Sequence, residues 1–185
     1  MRRWTTRLNM LSVFTAGCVC ALTLVAAASA REERGDGTIE PSTRVNGMLV
    51  VQGRAQRADT TIFGYYCDAV VLKSGRSART CRRIPHVSRL FVGYGIFTAP
   101  RAIEREWKTS KWDMWIDGQH VNLAAFGTTD RTLAKYPPAN GKDVTLREWS
   151  VTLVKRTPGR HTIRYRIRWP TSTIDTTWAF AVAAK

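Results

Sequence analysis

The stretch HTIRYRIRW, His161 to Trp169, alternates without a break. His161, Ile163, Tyr165, Ile167 and Trp169 form one set; Thr162, Arg164, Arg166 and Arg168 form the other. A period of two is the pattern of a strand with one buried and one solvated face. The chain therefore has to build a core for at least one long strand, and three arginines stand in line on its outer face. Residues two apart on a strand lie about 7 Å apart, a spacing that suits contact with an acidic polymer or a phosphate-rich surface. A solvated face whose neighbouring strand carries acids is the other reading of the same row.

Strand patterns recur along the chain. NGMLVVQGR opens on an Asn-Gly turn, and TTIFGYYCDAVVLK, Thr60 to Lys73, is rich in β-branched and aromatic residues. His86 to Phe97 reads as another strand, with Gly93 and Gly95 marking a bend or bulge. In TAPRAIEREWKTSK, Pro100, the Ile103/Trp107 pair and the Glu104/Lys108 pair predict a helix over about 100–109. That helix would seal core with Ile103 and Trp107.

Asp117-Gly118, between WDMWI and QHVNL, predicts a two-residue hairpin turn. It would pair Ile116 with Gln119, Trp115 with His120, Met114 with Val121, Asp113 with Asn122 and Trp112 with Leu123. Trp112, Met114, Val121 and Leu123 would then face the core. Residues 124–142 read as a long connection, since Pro137-Pro138 and Asn140-Gly141 break regular structure. A long strand is expected from Val144 to Val154, and a last one carries Ile174, Thr176, Trp178, Phe180 and Val182 on one face. A three-residue loop, Thr157-Pro158-Gly159, would join the strand ending near Arg156 to the opening stretch. Trp149 would then face Ile167, Val151 face Tyr165 and Leu153 face Ile163, with Thr152, Ser150 and Glu148 opposite the three arginines.

Roughly eight strands, one short helix and no βαβ rhythm predict an all-β, antiparallel two-sheet sandwich. IDGQHVNLAAFGTTD followed by WSVTLVKRTPGRHTIRY resembles secreted bacterial immunoglobulin-like β-sandwich proteins of uncharacterised function. The resemblance spans about Gly93 to Trp169. It implies an immunoglobulin-like sandwich and an exported protein, and it transfers no site residues.

The first thirty residues carry the layout of a secretory signal peptide: Arg2, Arg3 and Arg7, then an apolar run from Leu11 to Ala28, then Ala-Ser-Ala. An uncleaved signal anchor is the alternative, because the run approaches the length of a membrane span. A lipoprotein reading through Cys18 is weak, as the apolar run continues past it. Residues 31–44 read as a flexible leader, leaving residues 45–185 for the sandwich domain. Removing thirty residues from 185 leaves 155, ample for one domain with its own core. Removing three arginines from the formal charge of +15 leaves +12, which favours anionic partners. The expected location is outside the cell or at the envelope exterior, with no membrane span left after cleavage. Cys67 and Cys81 remain as an even pair, expected to form a disulfide worth about 3 kcal/mol by loop closure.

Two candidate binding sets emerge. Asp113, Trp115, His120 and Asn122 share the outer face of the Asp-Gly hairpin, where an indole flanked by short polar groups suits a sugar. Arg164, Arg166 and Arg168 suit an anionic cell-surface polymer. Nucleic acid is disfavoured because Tyr165 and Trp169 point away from the arginines. No catalytic set is expected: there is no G-x-S-x-G elbow, and both mature cysteines are committed to each other. His86, His120 and His161 have no zinc-ligand spacing, and no cofactor or metal is expected. The function expected is non-catalytic binding of glycans or anionic polymers. The alternatives are a structural or protein-interaction module acting through an exposed sheet, as a homodimer or surface assembly, and a small hydrolase.

Overall fold

A computed structural model describes residues 37–58, 60–62, 68–71, 76–81 and 88–184. The signal-peptide segment and Cys67, and with it the expected Cys67–Cys81 disulfide, lie outside the described residues.

The chain is an all-β sandwich, rich in antiparallel pairs. Its strands, in chain order, are β1 (Arg44–Val45), β2 (Met48–Gln52), β3 (Thr60–Thr61), β4 (Asp68–Val71), β5 (Ser77–Cys81), β6 (Arg89–Phe91) and β7 (Gly95–Thr98). After helix α1 (Ile103–Thr109) come β8 (Lys111–Ile116), β9 (Gln119–His120) and a one-turn helix, α2 (Leu123–Phe126). The chain ends with β10 (Thr128–Tyr136), β11 (Lys142–Trp149), β12 (Val151–Val154), β13 (Gly159–Arg168) and β14 (Thr173–Val182).

Two sheets bury the core between them. One runs β1-β2-β12-β6-β3 and the other β4-β5-β14-β13-β8-β9. Val50, Leu90, Val151 and Leu153 from the first meet Met114, Ile116, Ile163, Tyr165 and Phe180 from the second. Tyr165 Oη donates to the Val92 carbonyl across this core, satisfying the hydroxyl that an apolar layer would otherwise strand. Two pairs are parallel, β14 with β5 and β3 with β6. A third, smaller sheet runs β10-β11-β7.

The smaller sheet grows out of the first through a bulge. Val92 and Gly93 both donate to the Val151 carbonyl at 3.0 Å, so two residues oppose one. Trp149 then donates to Tyr94 O, and the ribbon β6–β7 continues along β11 instead of β12. A Cβ on Gly93 would stand 1.7 Å from the Trp149 carbonyl oxygen, so only glycine permits this approach. The bend expected at Gly93 and Gly95 is present. It also breaks the long strand expected over Val144–Val154 into β11 and β12, which serve different sheets.

Helix α1 forms within the expected range, with Ile103 buried against the core. The Asp-Gly hairpin pairs Ile116 with Gln119 and Trp115 with His120 as expected. The returning strand ends at His120, although Val121 N–H still donates to Met114 O at 2.9 Å, and Ile39 bridges Val121 along the outer edge before the chain turns into α2. Ile39 is wholly buried and exchanges backbone hydrogen bonds with His120 and Asn122. This corrects the expectation of a flexible leader over 31–44 for its described part: one isoleucine in a polar stretch docks it. The 124–142 connection contains α2 and the nine-residue β10. That strand is an edge with few apolar residues, so alternation gave no signal for it.

The largest correction concerns the opening stretch. β12 and β13 are not neighbours in one sheet. β12 lies between β2 and β6, and β13 between β14 and β8. Val151, Leu153, Ile163 and Tyr165 do meet, but across the core. Periodicity sorts residues into dry and wet, and it is equally satisfied by strands lying side by side or face to face.

Candidate functional site

The six-stranded sheet brings the two candidate sets onto one face. Register places Arg166 beside Asp113 of β8 and Asp175 of β14, and Arg164 beside Trp115 and Thr177. The acids on neighbouring strands take up the arginines. Arg164 donates through Nε and a terminal nitrogen to Asp175 at 2.8 and 2.5 Å, a two-point grip. Arg76 reaches the same carboxylate at 3.4 Å. Arg166 and Arg168 both donate to Asp113, at 3.1 and 2.9 Å, and His120 Nε2 stands 3.6 Å from its other oxygen. The Arg164 hydrogen bond outweighs burial and holds the Asp175 carboxyl below its ordinary range.

Trp115 is not an open platform. Guanidinium carbons of Arg164 and Arg166 lie 4.7 and 5.1 Å from its ring centroid, and the His120 ring meets its edge. Asn122 donates to Glu40 at 2.7 Å, tying the hairpin to the docked leader. Asp113, Trp115 and the arginine row therefore form one interlocked lattice of charge and ring on a sheet face.

His120 and Asn122 also border something different. Beside them opens a cleft of about 390 Å³, within the range of small-ligand sites, whose walls are Trp107, Trp112 and Trp149. Trp107 lies 4.8 Å from Trp112 and 5.0 Å from Trp149, centroid to centroid. All three rings are half-buried. They come from α1, β8 and β11, so three elements have to be held in place to assemble the cleft.

Two devices hold them. Ser110 caps the end of α1, donating to Trp107 O at 2.8 Å and accepting from Trp112 Nε1 at 2.7 Å. Arg147 of β11 reaches Glu104 on α1 at 2.7 Å and both oxygens of Asp130 on β10, at 2.7 and 2.6 Å. The hydrogen bonds that Arg147 donates to Asp130 and Glu104 raise its pKa further, so the guanidinium stays charged. The Trp149 indole N–H is buried and has no hydrogen-bond partner, an exception to the usual satisfaction of buried donors.

Trp107, Trp112 and Trp149 read from the sequence as sealing or core residues. The signal available was seven tryptophans in the chain, but no spacing joins these three. Among the described residues no group of three His, Cys, Asp or Glu side chains could hold a metal ion, and no helix is long and apolar enough to cross a membrane. Comparison with family models, curated proteins and solved structures finds no match to this chain.

Proposed function

We propose that the protein is an exported, non-catalytic glycan-binding protein of immunoglobulin-like architecture, and that its sugar site is the cleft of Trp107, Trp112 and Trp149. The observation that carries the reading is the cleft itself: three converging indoles, partly exposed, on an otherwise strongly charged surface. A sugar ring has apolar C–H faces and an equator of hydroxyls. The indoles supply flat apolar surface at low entropic cost. Asn122 and His120 at the rim supply donors and acceptors for hydroxyls. Ser110 and Arg147 fix the rings before any ligand arrives, so little ordering is left for binding to accomplish.

The site originally suggested by the sequence moves by one hairpin face. Trp115 is covered by two arginines, whereas His120 and Asn122 remain at the rim of the cleft. The test is a titration of neutral oligosaccharides, chitin- and glucan-derived, followed by tryptophan fluorescence and calorimetry. Trp107→Ala should weaken binding by about tenfold or more, while Trp115→Ala leaves it close to wild type. Binding lost with Trp115→Ala and kept with Trp107→Ala would overturn the assignment.

A further inference from the structure

Among the described residues, the sheets end in short strands at every edge but one. The edge strands β1, β3 and β9 have two residues each, and β4 and β7 have four. β10 closes the smaller sheet with nine. A short edge leaves few backbone groups to pair with, whereas a long one is a template for another strand. We propose that β10 pairs antiparallel with β10 of a second copy of this chain, joining two three-stranded sheets edge to edge.

The ladder shows which backbone groups are open. Ser150 donates to Gly127 O at 2.9 Å. The register continues from there, with Thr129 opposite Glu148, Arg131 opposite Leu146 and Leu133 opposite Val144. Hydrogen-bonded and non-hydrogen-bonded pairs alternate in an antiparallel ladder, so these odd-numbered residues point their backbone groups at β11. Thr128, Asp130, Thr132 and Ala134 turn theirs to the outer edge, and all four are exposed. Between Thr128 and Ala134 there is no lysine or proline, the residues that commonly guard an edge. The charges there are neutralised within the chain: Arg147 holds Asp130 at 2.7 and 2.6 Å, and Glu148 stands 3.9 Å from Arg131.

Charge selects the register and favours self-pairing. A two-fold axis through Thr132 sets Thr132 opposite its own copy and Asp130 opposite Ala134, all with backbone groups turned outward. Arg131 then faces Leu133, and its aliphatic stem covers a half-buried side chain. An axis through Asp130 or Arg131 would oppose each to its own copy, and one through Leu133 would oppose Arg131 to Lys135. Like charges directly opposite are destabilising, so of these four axes only Thr132 is free of them.

The axis stands perpendicular to the joined sheet, so like faces of the two copies lie on one side. Arg147 and Trp149, two apart on β11, share a face, and the Arg147 guanidinium carbon lies 5.8 Å from the Trp107 ring centroid on that face. Both copies therefore present Trp107 and Trp149 on the same side, an arrangement that suits two-point binding to a repeating polymer. This consequence rests on the glycan reading of the cleft; the dimer does not.

The test is sedimentation equilibrium on the full chain across a concentration series, with salt high enough to screen its net positive charge. Wild type should dimerise. Thr132→Pro removes an outward N–H and leaves the bonds to β11 whole, so it should weaken the dimer about thirtyfold or more and leave the melting temperature of the monomer close to wild type. Thr132→Cys tests the same axis without altering the backbone. A hydrogen-bonded pair stands about 5.5 Å apart between Cα atoms, within disulfide range, so this variant should cross-link on oxidation beyond the wild-type background. Thr128→Cys, about 27 Å from its own copy in this register, should not. A monomeric wild type at every concentration, or a dimer of equal affinity in folded Thr132→Pro, overturns the proposal. Cross-linking of Thr128→Cys without Thr132→Cys overturns the register. Retention on insoluble chitin should fall in Thr132→Pro while affinity for a short soluble chitin oligosaccharide holds, and equal retention overturns the two-point arrangement. Absence of oligosaccharide binding in a dimeric wild type overturns the glycan reading and leaves the dimer standing.

Discussion

His161 Nδ1 lies 2.7 Å from Asp117 Oδ2, and both side chains are nearly inaccessible to water. The other ring nitrogen, Nε2, faces the Thr157 carbonyl at 3.0 Å. Both neighbours are acceptors, so the arrangement is fully satisfied only by the doubly protonated imidazolium. Asp117 is held in turn by the Thr162 amide at 2.6 Å and by the Asn46 side chain at 3.1 Å. This network joins the two hairpin turns, Asn46-Gly47 and Asp117-Gly118, to the loop before β13.

Burial opposes the charge on His161, but the Asp117 hydrogen bond and the Thr157 carbonyl together outweigh it and raise the pKa. The unfolded chain should titrate near about 6.5. A raised folded value means that the stabilisation is complete below that pH and is lost as pH rises through the folded pKa. Urea midpoints should therefore fall from mildly acidic to alkaline pH. His161→Gln should cost about 3 kcal/mol at pH 6 and flatten the profile. A variant with the wild-type slope would show that another group titrates.

Gly93→Ala should be among the most damaging single-methyl changes in this chain. The added carbon would meet the Trp149 carbonyl at 1.7 Å, and the nearest atoms are mostly backbone. A loss of about 4 kcal/mol or failure to fold is expected, read as soluble yield and melting temperature. A variant melting within a few degrees of wild type would mean that the bulge can relax.

Ser110→Ala should separate positioning from packing. It removes the acceptor of the Trp112 indole and the donor to Trp107 O. One hydrogen bond of this kind is worth about 1 kcal/mol, or about fivefold in oligosaccharide affinity if ring orientation matters. Ser110→Thr should restore most of it. Unchanged affinity in Ser110→Ala would show that packing alone orients the rings.

Arg164→Gln should lower stability and leave polyanion binding largely unchanged. Its guanidinium is committed to Asp175 and covers Trp115. The pair is partly solvated, so the expected loss is about 1 kcal/mol. Because the Asp175 carboxyl is held below its ordinary value, its contribution is present above about pH 3.9 and lost as pH falls through the folded value. Removing Arg164 should make acid unfolding begin at higher pH. A large drop in binding to heparin-type polymer, with stability intact, would restore the arginine row as a binding surface.

The fold class, α1, the Asp-Gly turn and the kink at Gly93 were legible because each rests on local chemistry. The partner strands of β13 were not, since Ile163 and Tyr165 show only that one face is dry. The acids that neutralise Arg164 and Arg166 sit at Asp175 and Asp113, and only lateral pairing reveals them. β10 escaped notice because Thr128–Tyr136 is a polar edge strand. Trp149 joins Trp107 and Trp112 only through the tertiary packing of α1, β8 and β11, which no spacing in the sequence announces.

The bulge at Val92 and Gly93 has a consequence for dynamics. β7, β10 and β11 extend beyond the two-sheet core as an outrigger, held by the continuing ribbon and by the Glu104–Arg147–Asp130 tie. Such a unit can open by local unfolding while β13 and β14 stay protected. Amides of β10 and β11 should then exchange sooner than those of β13. Trp149 belongs to the part that opens, so the lifetime of the tryptophan cleft is set by the outrigger and not by the core.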